Sequence, residues 1–211
     1  MNDKFLNLKS ERREAIINAA LKEFATKGYL DASTNTIAKE AGISKPLLFH
    51  YTSTKKDLFL YLCEYSFRIL KPELIEYLES IKKERDVFIR IDQALQLKMK
   101  LTHKYQYLYE FYVMTFFTEA EEVKDELASK VDDVYFTSLE KLNENIDKSK
   151  FKDNVNVEKA IKVITWVSEG FANEANKELK TDEGYSNRND VGKYRQELDG
   201  YLSLLKDCFY K

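Results

Sequence analysis

Residues 45 to 51, Lys-Pro-Leu-Leu-Phe-His-Tyr, set an ammonium, an imidazole and a phenol among apolar side chains. If this segment is helical, Leu48 is its inward residue, while Lys45, Leu47, His50 and Tyr51 point outward. A solvated surface helix has no need of such a cluster, but a helix laid in the major groove of DNA has. An ammonium donates to guanine O6 and N7, an imidazole reaches a base edge or a phosphate, and a leucine tip packs on a thymine methyl. Lys45, Leu47 and His50 are therefore the candidate base-reading residues. Ser33, Thr34 and Thr36 open the preceding segment, where hydroxyls and free backbone N–H groups favour a phosphate oxygen.

The elements that must hold these residues are legible in their neighbours. Ser33 can cap a short helix whose Ile37, Ala38 and Ala41 give one small apolar face. Gly42 stands where the chain must reverse, and Ile43 can plug the corner. Ser44 can cap the next helix, with Pro46 in its first turn, where a missing N–H costs nothing. That is a helix-turn-helix. A leading helix is expected over 10–27, with Ile16, Ile17, Ala20, Leu21 and Phe24 on one stripe and Gly28 as its stop. Residues 1 to 9 read as polar and frayed.

At fixed offsets the chain carries Ile16, Ala19, Ala20, Phe24 and Gly28, then Ile37-Ala38, Ala41-Gly42-Ile43-Ser44, Leu48-Phe49, Lys55 and Leu58. In that pattern, over its first sixty or so residues, it resembles the TetR family of bacterial transcriptional repressors. One departure is Thr52, where the family usually has Phe or Val. The resemblance implies an all-α chain, with an N-terminal three-helix DNA-binding domain followed by a larger helical domain that binds ligand and dimerises. It also implies that Tyr51 and Lys55 join Ser33, Thr34 and Thr36 in holding phosphates. The boundary is expected at 1–52 and 53–211.

Composition agrees with a helical chain. Six Gly and two Pro in 211 residues leave little punctuation for hairpins. The net charge of −2 divides into +4 over residues 1–56 and −6 over the rest, a basic head on an acidic body. No apolar run is long enough to span a bilayer and no signal-peptide core opens the chain, so a cytoplasmic protein without a membrane partner is expected. Enzyme chemistry lacks an inventory: there are two histidines, no metal-ligand cluster, no P-loop, no G-x-G-x-x-G and no G-x-S-x-G. Neither catalysis nor a metal nor a cofactor is expected.

From Ser53 or Thr54 the periodicity predicts a helix that ends just before Pro72 or continues with a break there, a second over 72–83 and a third over 86–101. Residues 104–118 carry large side chains on every side, the mark of a buried helix. Tyr107, Phe111 and Met114 share one face; His103, Gln106 and Glu110 form a polar stripe. These residues admit two readings, plain core or the wall of a ligand chamber. Members of the resembled family bind an inducer in the C-terminal domain. On that implication the six residues, with Trp166, are candidate pocket residues for an aromatic or cationic hydrophobic inducer. A carboxylate such as Glu110 amid aromatics would need a partner.

Helices over 119–146, 157–179 and 193–209 complete the chain, joined by polar stretches at 147–156 and 181–192. The last two carry more apolar surface than one partner helix needs. In the family the corresponding pair forms a four-helix bundle with a second subunit, which makes Ile164, Phe171, Leu198, Tyr201, Leu202, Leu205 and Phe209 candidate homodimer residues. The expected function is a sequence-specific repressor on double-stranded operator DNA, released by a small inducer. The alternative is a helical adaptor protein with a vestigial DNA-binding domain.

Overall fold

Capping side chains and two glycines set the first helix boundaries in the computed structural model, which describes residues 3–105, 107–130, 141, 144–179 and 191–211. Its α-helices are α1 (Asp3–Leu6), α2 (Ser10–Asp31), α3 (Thr34–Glu40), α4 (Lys45–Thr52), α5 (Lys55–Ile81), α6 (Val87–Tyr105), α7 (Tyr107–Thr115), α8 (Glu121–Lys130), α9 (Val157–Leu179) and α10 (Val191–Phe209). No strand occurs among the described residues. The chain folds as two compact units, one within residues 1–76 and 96–136, the other within 77–95 and 137–211.

In the first unit, α2 packs along α7 and α3. Phe24, Phe59 and Phe111, all fully buried, meet edge to face or tilted, with ring centroids 5.1, 5.3 and 6.2 Å apart. Burying one such ring stabilises by about 1.5–3 kcal/mol, whereas an exposed ion pair contributes about 0–1 kcal/mol. This aromatic node therefore outweighs any surface charge pair in fixing α2 against α5 and α7. Gly28, at φ 73°, breaks α2 where the sequence placed its stop, and the chain then runs helically to Asp31.

One expectation is corrected here and one open alternative is resolved. Residues 3–6 are helical rather than frayed: Phe5 is fully buried, its ring 5.3 Å from that of Tyr61, and α1 packs on α4. Of the two outcomes expected at Pro72, an end or a continuation, the helix continues: α5 runs through it to Ile81. The proline lies on the exposed side, so the Arg68 carbonyl that loses its N–H partner can face water, while Leu70, Leu74, Tyr77 and Ile81 continue the buried stripe.

The second unit centres on Val87, Phe88 and Ile91 of α6 with Ile164, Leu198 and Leu202 of α9 and α10. Asp86 caps α6, accepting from the Phe88 N–H at 2.9 Å, from Lys150 at 2.8 Å and from the Tyr210 hydroxyl at 3.1 Å. Arg90 is buried and satisfied by backbone: its guanidinium donates to the carbonyls of Glu84, Lys141 and Glu144. Residues 147–156, expected as a polar connection, bury Phe151. A short antiparallel bridge ties it to Tyr210, with Lys152 N donating to Phe209 O at 2.9 Å. Of the helix expected over 119–146, residues 131–140, 142 and 143 lie outside the described residues, as do 181–190 of the loop expected over 181–192.

Candidate nucleic-acid interface

The recognition element begins with the clamp on α3. The Ser33 side chain accepts from the Thr36 N–H at 3.3 Å, capping α3 as its residue type allows. Neighbouring residues of α2 hold both ends of this helix. Glu23 accepts from the Ser33 N–H at 2.8 Å, and Lys22 pairs with Glu40 at 2.9 Å. The Glu40 hydrogen bond raises the Lys22 pKa. Periodicity alone marks 22 and 23 only as polar positions on α2, so this clamp was not read from the sequence.

Gly42, at φ 67°, makes the turn, and the Ile43 N–H reaches back to the Ala38 carbonyl at 3.0 Å. Ser44 then caps α4, accepting from the Leu47 N–H at 3.4 Å, with Pro46 in the first turn. Leu48 and Thr52 form the buried face of α4. Thr52 keeps a hydroxyl inside by donating it to the Leu48 carbonyl at 3.0 Å, which satisfies that buried polar group.

On the outer face Lys45 and His50 are exposed, and Leu47, Phe49 and Tyr51 are half-buried. The Lys45 ammonium stands 5.9 Å from the centre of the Phe49 ring one turn on, and the His50 and Tyr51 rings are 5.6 Å apart. Phe49 thus braces the base of the lysine while its charge stays in solvent. Thr34 and Thr36 are half-buried at the start of α3. Lys55 is engaged: its ammonium donates to the Leu30 carbonyl at 3.0 Å and lies 4.9 Å from the centre of the Tyr29 ring. An ammonium has three N–H donors, so this tie leaves donors for a phosphate. Thr54 caps α5 beside it: its hydroxyl accepts from the Asp57 N–H at 2.9 Å and donates to the Asp57 carboxylate at 2.6 Å.

The residues read as a ligand wall are distributed differently. Phe111 is fully buried in the aromatic node, so it serves the core and does not open onto a chamber. His103 is exposed; Tyr107, Glu110 and Met114 are half-buried; Gln106 lies outside the described residues. The Glu110 charge acts on Lys98, whose pKa is lowered by burial and partly restored by that carboxylate. A cation of the chain itself is therefore already within electrostatic reach of the group expected to seek one. Trp166 belongs to the second unit and is 66 % exposed.

Among the residues read as a dimer face, Ile164, Leu198 and Leu202 are buried within their own unit. Their role is to hold α9, α10 and α6 together. Phe171, Leu205 and Phe209 are half-buried, and Tyr201 is exposed with its ring 6.0 Å from that of Phe171. Leu204, not among the residues expected, is 60 % exposed one turn from Tyr201. The apolar stripes of α9 and α10 are wide enough to serve an internal and an external surface, and periodicity cannot assign which residue serves which.

The family model described as bacterial regulatory proteins, tetR family, matches residues 16–62, the stretch from α2 into α5. The HTH-type transcriptional activator FasR of Mycolicibacterium smegmatis is 40% identical over 52 residues, 25% of this chain and 24% of that protein. The HTH-type transcriptional regulator RutR of Escherichia coli K12 is 27% identical over 121 residues, 56% of this chain and 54% of its own length. The chain thus spans between a quarter and about half of these curated relatives. In fold it is similar to a TetR family transcriptional regulator from Chloroflexus aurantiacus J-10-FL: 20% identity, TM-score 0.63, covering 100% of this chain and 98% of the other.

Proposed function

We propose, from the premise that this chain belongs to the TetR family of helix-turn-helix regulators, that it is a dimeric repressor whose α4 reads operator DNA and whose body releases it on binding a small molecule. The single observation that carries the reading is the outer face of α4. Lys45, Leu47 and His50 are presented by a helix whose start, end and inner face are all fixed by satisfied contacts. Such rigidity suits base reading, because a bidentate contact is worth about 1–3 kcal/mol only when its donor is held in place. Ser33, Thr34, Thr36, Tyr51 and Lys55 are assigned to phosphates on either side. Residues 1–52 serve as the DNA-binding domain and 53–211 as the sensing and dimerising domain.

One α4 meets only a few base pairs, so a two-fold pair of chains is needed for a specific site. We assign the second copy to α9 and α10, through the exposed Trp166, Tyr201 and Leu204 with the half-buried Phe171, Leu205 and Phe209 beside them. Release is a population shift: a ligand that binds better to the body conformation in which the two α4 helices are out of register lowers DNA affinity by that preference. An aromatic or cationic hydrophobic inducer was expected; the Lys98 charge within electrostatic reach of Glu110 takes support from the cationic option.

The test is retardation of DNA from upstream of the chain's own gene, with wild type and Lys45→Ala compared at fixed salt. Sequence-specific retention weakened by Lys45→Ala supports a DNA reader. Absence of specific retention at micromolar protein would mark the helix-turn-helix as vestigial.

A further inference from the structure

Where α2 meets α5 and the junction of α6 with α7, the first unit carries a cleft of about 230 Å³. Its floor is Leu21 and Leu108, both buried. Its walls include the half-buried rings of Tyr65, Tyr105 and Tyr107, and its rim the exposed Asn18 and Lys104. Sites for drug-sized ligands run to about 300–1,000 Å³, so this space suits a small ring compound. Apolar floor, aromatic walls and a polar rim are what such a ligand needs at its face and at its substituent.

Charge selects the substituent. Glu73 is shared by two ammoniums, Lys100 and Lys104, each 2.7 Å from one of its oxygens. That trio carries one surplus positive charge, and its exposed member Lys104 is part of the cleft lining. Arg68, outside the cleft lining, stands over the Tyr65 ring, 5.6 Å from its centre. Among the described residues none lining the cleft is acidic; the Glu73 carboxylate lies beside it, accepting from Lys104 at 2.7 Å and from the Tyr105 hydroxyl at 3.4 Å. A cation placed there meets the Lys104 ammonium at the rim, with Glu73 already engaged by Lys100, Lys104 and the Tyr105 hydroxyl, whereas a carboxylate meets Lys104 and the Asn18 amide, both of which donate.

The cleft also sits on the helix that controls the DNA-reading element. Asn18 and Leu21 are on α2, directly before Lys22 and Glu23, which grip the two ends of α3. Tyr107 acts electrostatically on that same Lys22. A ring that presses between α2 and α7 as it enters pushes on the helix that holds α3, and through it on α4.

We propose that this cleft binds a small aromatic carboxylate, and that its occupation weakens DNA binding by displacing α2. The proposal rests on the reading of the chain as a DNA-binding regulator and gives that reading a ligand class and a site. The probe is 1-naphthoate, titrated calorimetrically into the full chain beside 1-naphthylmethylammonium at equal ionic strength. The expected result is binding of the carboxylate, with the ammonium compound weaker by up to about fivefold, the scale of one exposed charge contact. Lys104→Gln should weaken naphthoate and Glu73→Gln should strengthen it, a reciprocal pair that a merely greasy site would not give. Asn18→Phe, which fills the mouth, should abolish binding and remove any effect of naphthoate on DNA retention. Equal affinity for the two probes, or binding untouched by Asn18→Phe, overturns the site. Binding that leaves DNA affinity unchanged overturns its regulatory role. If no DNA is retained even without naphthoate, the regulator reading fails, and the calorimetry still decides the cleft by itself.

Discussion

Replacing Lys55 with methionine removes an ammonium while keeping a side chain of similar length, and so separates its two assigned roles. In the folded chain that ammonium donates to the Leu30 carbonyl at 3.0 Å and lies 4.9 Å from the centre of the Tyr29 ring. A hydrogen bond from a charged donor contributes about 1.5–3 kcal/mol net, and an exposed cation–π contact about 0.5–1 kcal/mol. Lys55 is half-buried, so water replaces part of both. A loss of about 1–2 kcal/mol in unfolding free energy is expected. The same ammonium is assigned to a phosphate, so the slope of log affinity against log salt should flatten by about 0.9. Urea unfolding measures the first effect, and DNA binding at several salt concentrations measures the second. Unchanged stability would refute the Leu30 tie, and a changed base preference with an unchanged salt slope would refute the phosphate role.

The other predictions probe the remaining elements. Leu204→Glu should give a folded monomer in light scattering with weakened DNA retention. Leu202→Glu should instead unfold the second unit, because a charge would enter a core position; identical behaviour of the two variants would contradict the division of α9 and α10 into inner and outer faces. Phe5→Ala should fray α1, lower DNA affinity and cost about 1.5–3 kcal/mol of unfolding free energy, the scale of burying one ring; amide exchange in residues 3–9 reads the fraying directly. Hydrogen bonds from Lys100 and Lys104 bring the Glu73 carboxyl down from 4.5 to about 2. Its stabilisation is therefore complete above pH 4.5 and is lost as pH falls through about 2, so Glu73→Gln should flatten the acid limb of the stability–pH curve in that window.

The helix-turn-helix was legible because its information is local. Ser33, Gly42, Ser44 and Pro46 each act within one turn of themselves, and each stands where its chemistry requires. Pro72 left two outcomes open for the complementary reason: proline weakens a helix locally, but a buried stripe running past it carries the helix through. Phe5 left a trace, an apolar Phe-Leu with Leu8 in a polar stretch, although nothing local says that α4 and Tyr61 receive it. The Lys98–Glu110 interaction and the Lys22 and Glu23 clamps join separate helices, so helical periodicity could not pair them. The aromatic run at 104–118 was identified as buried, but which rings fill core and which border a cleft depends on how α2 and α5 cross it.

The most direct test of the central claim is the ratio of affinities for the upstream DNA of the chain's own gene and for a scrambled duplex of equal length. It should be measured near physiological salt, together with the size of the protected site. The account predicts a ratio of about 10³ or more, a two-fold symmetric footprint whose half-sites lie about one helical turn apart or a multiple of it, and loss of much of the ratio in Lys45→Ala. Equal affinity for both duplexes, with protection spread along the DNA, would contradict it.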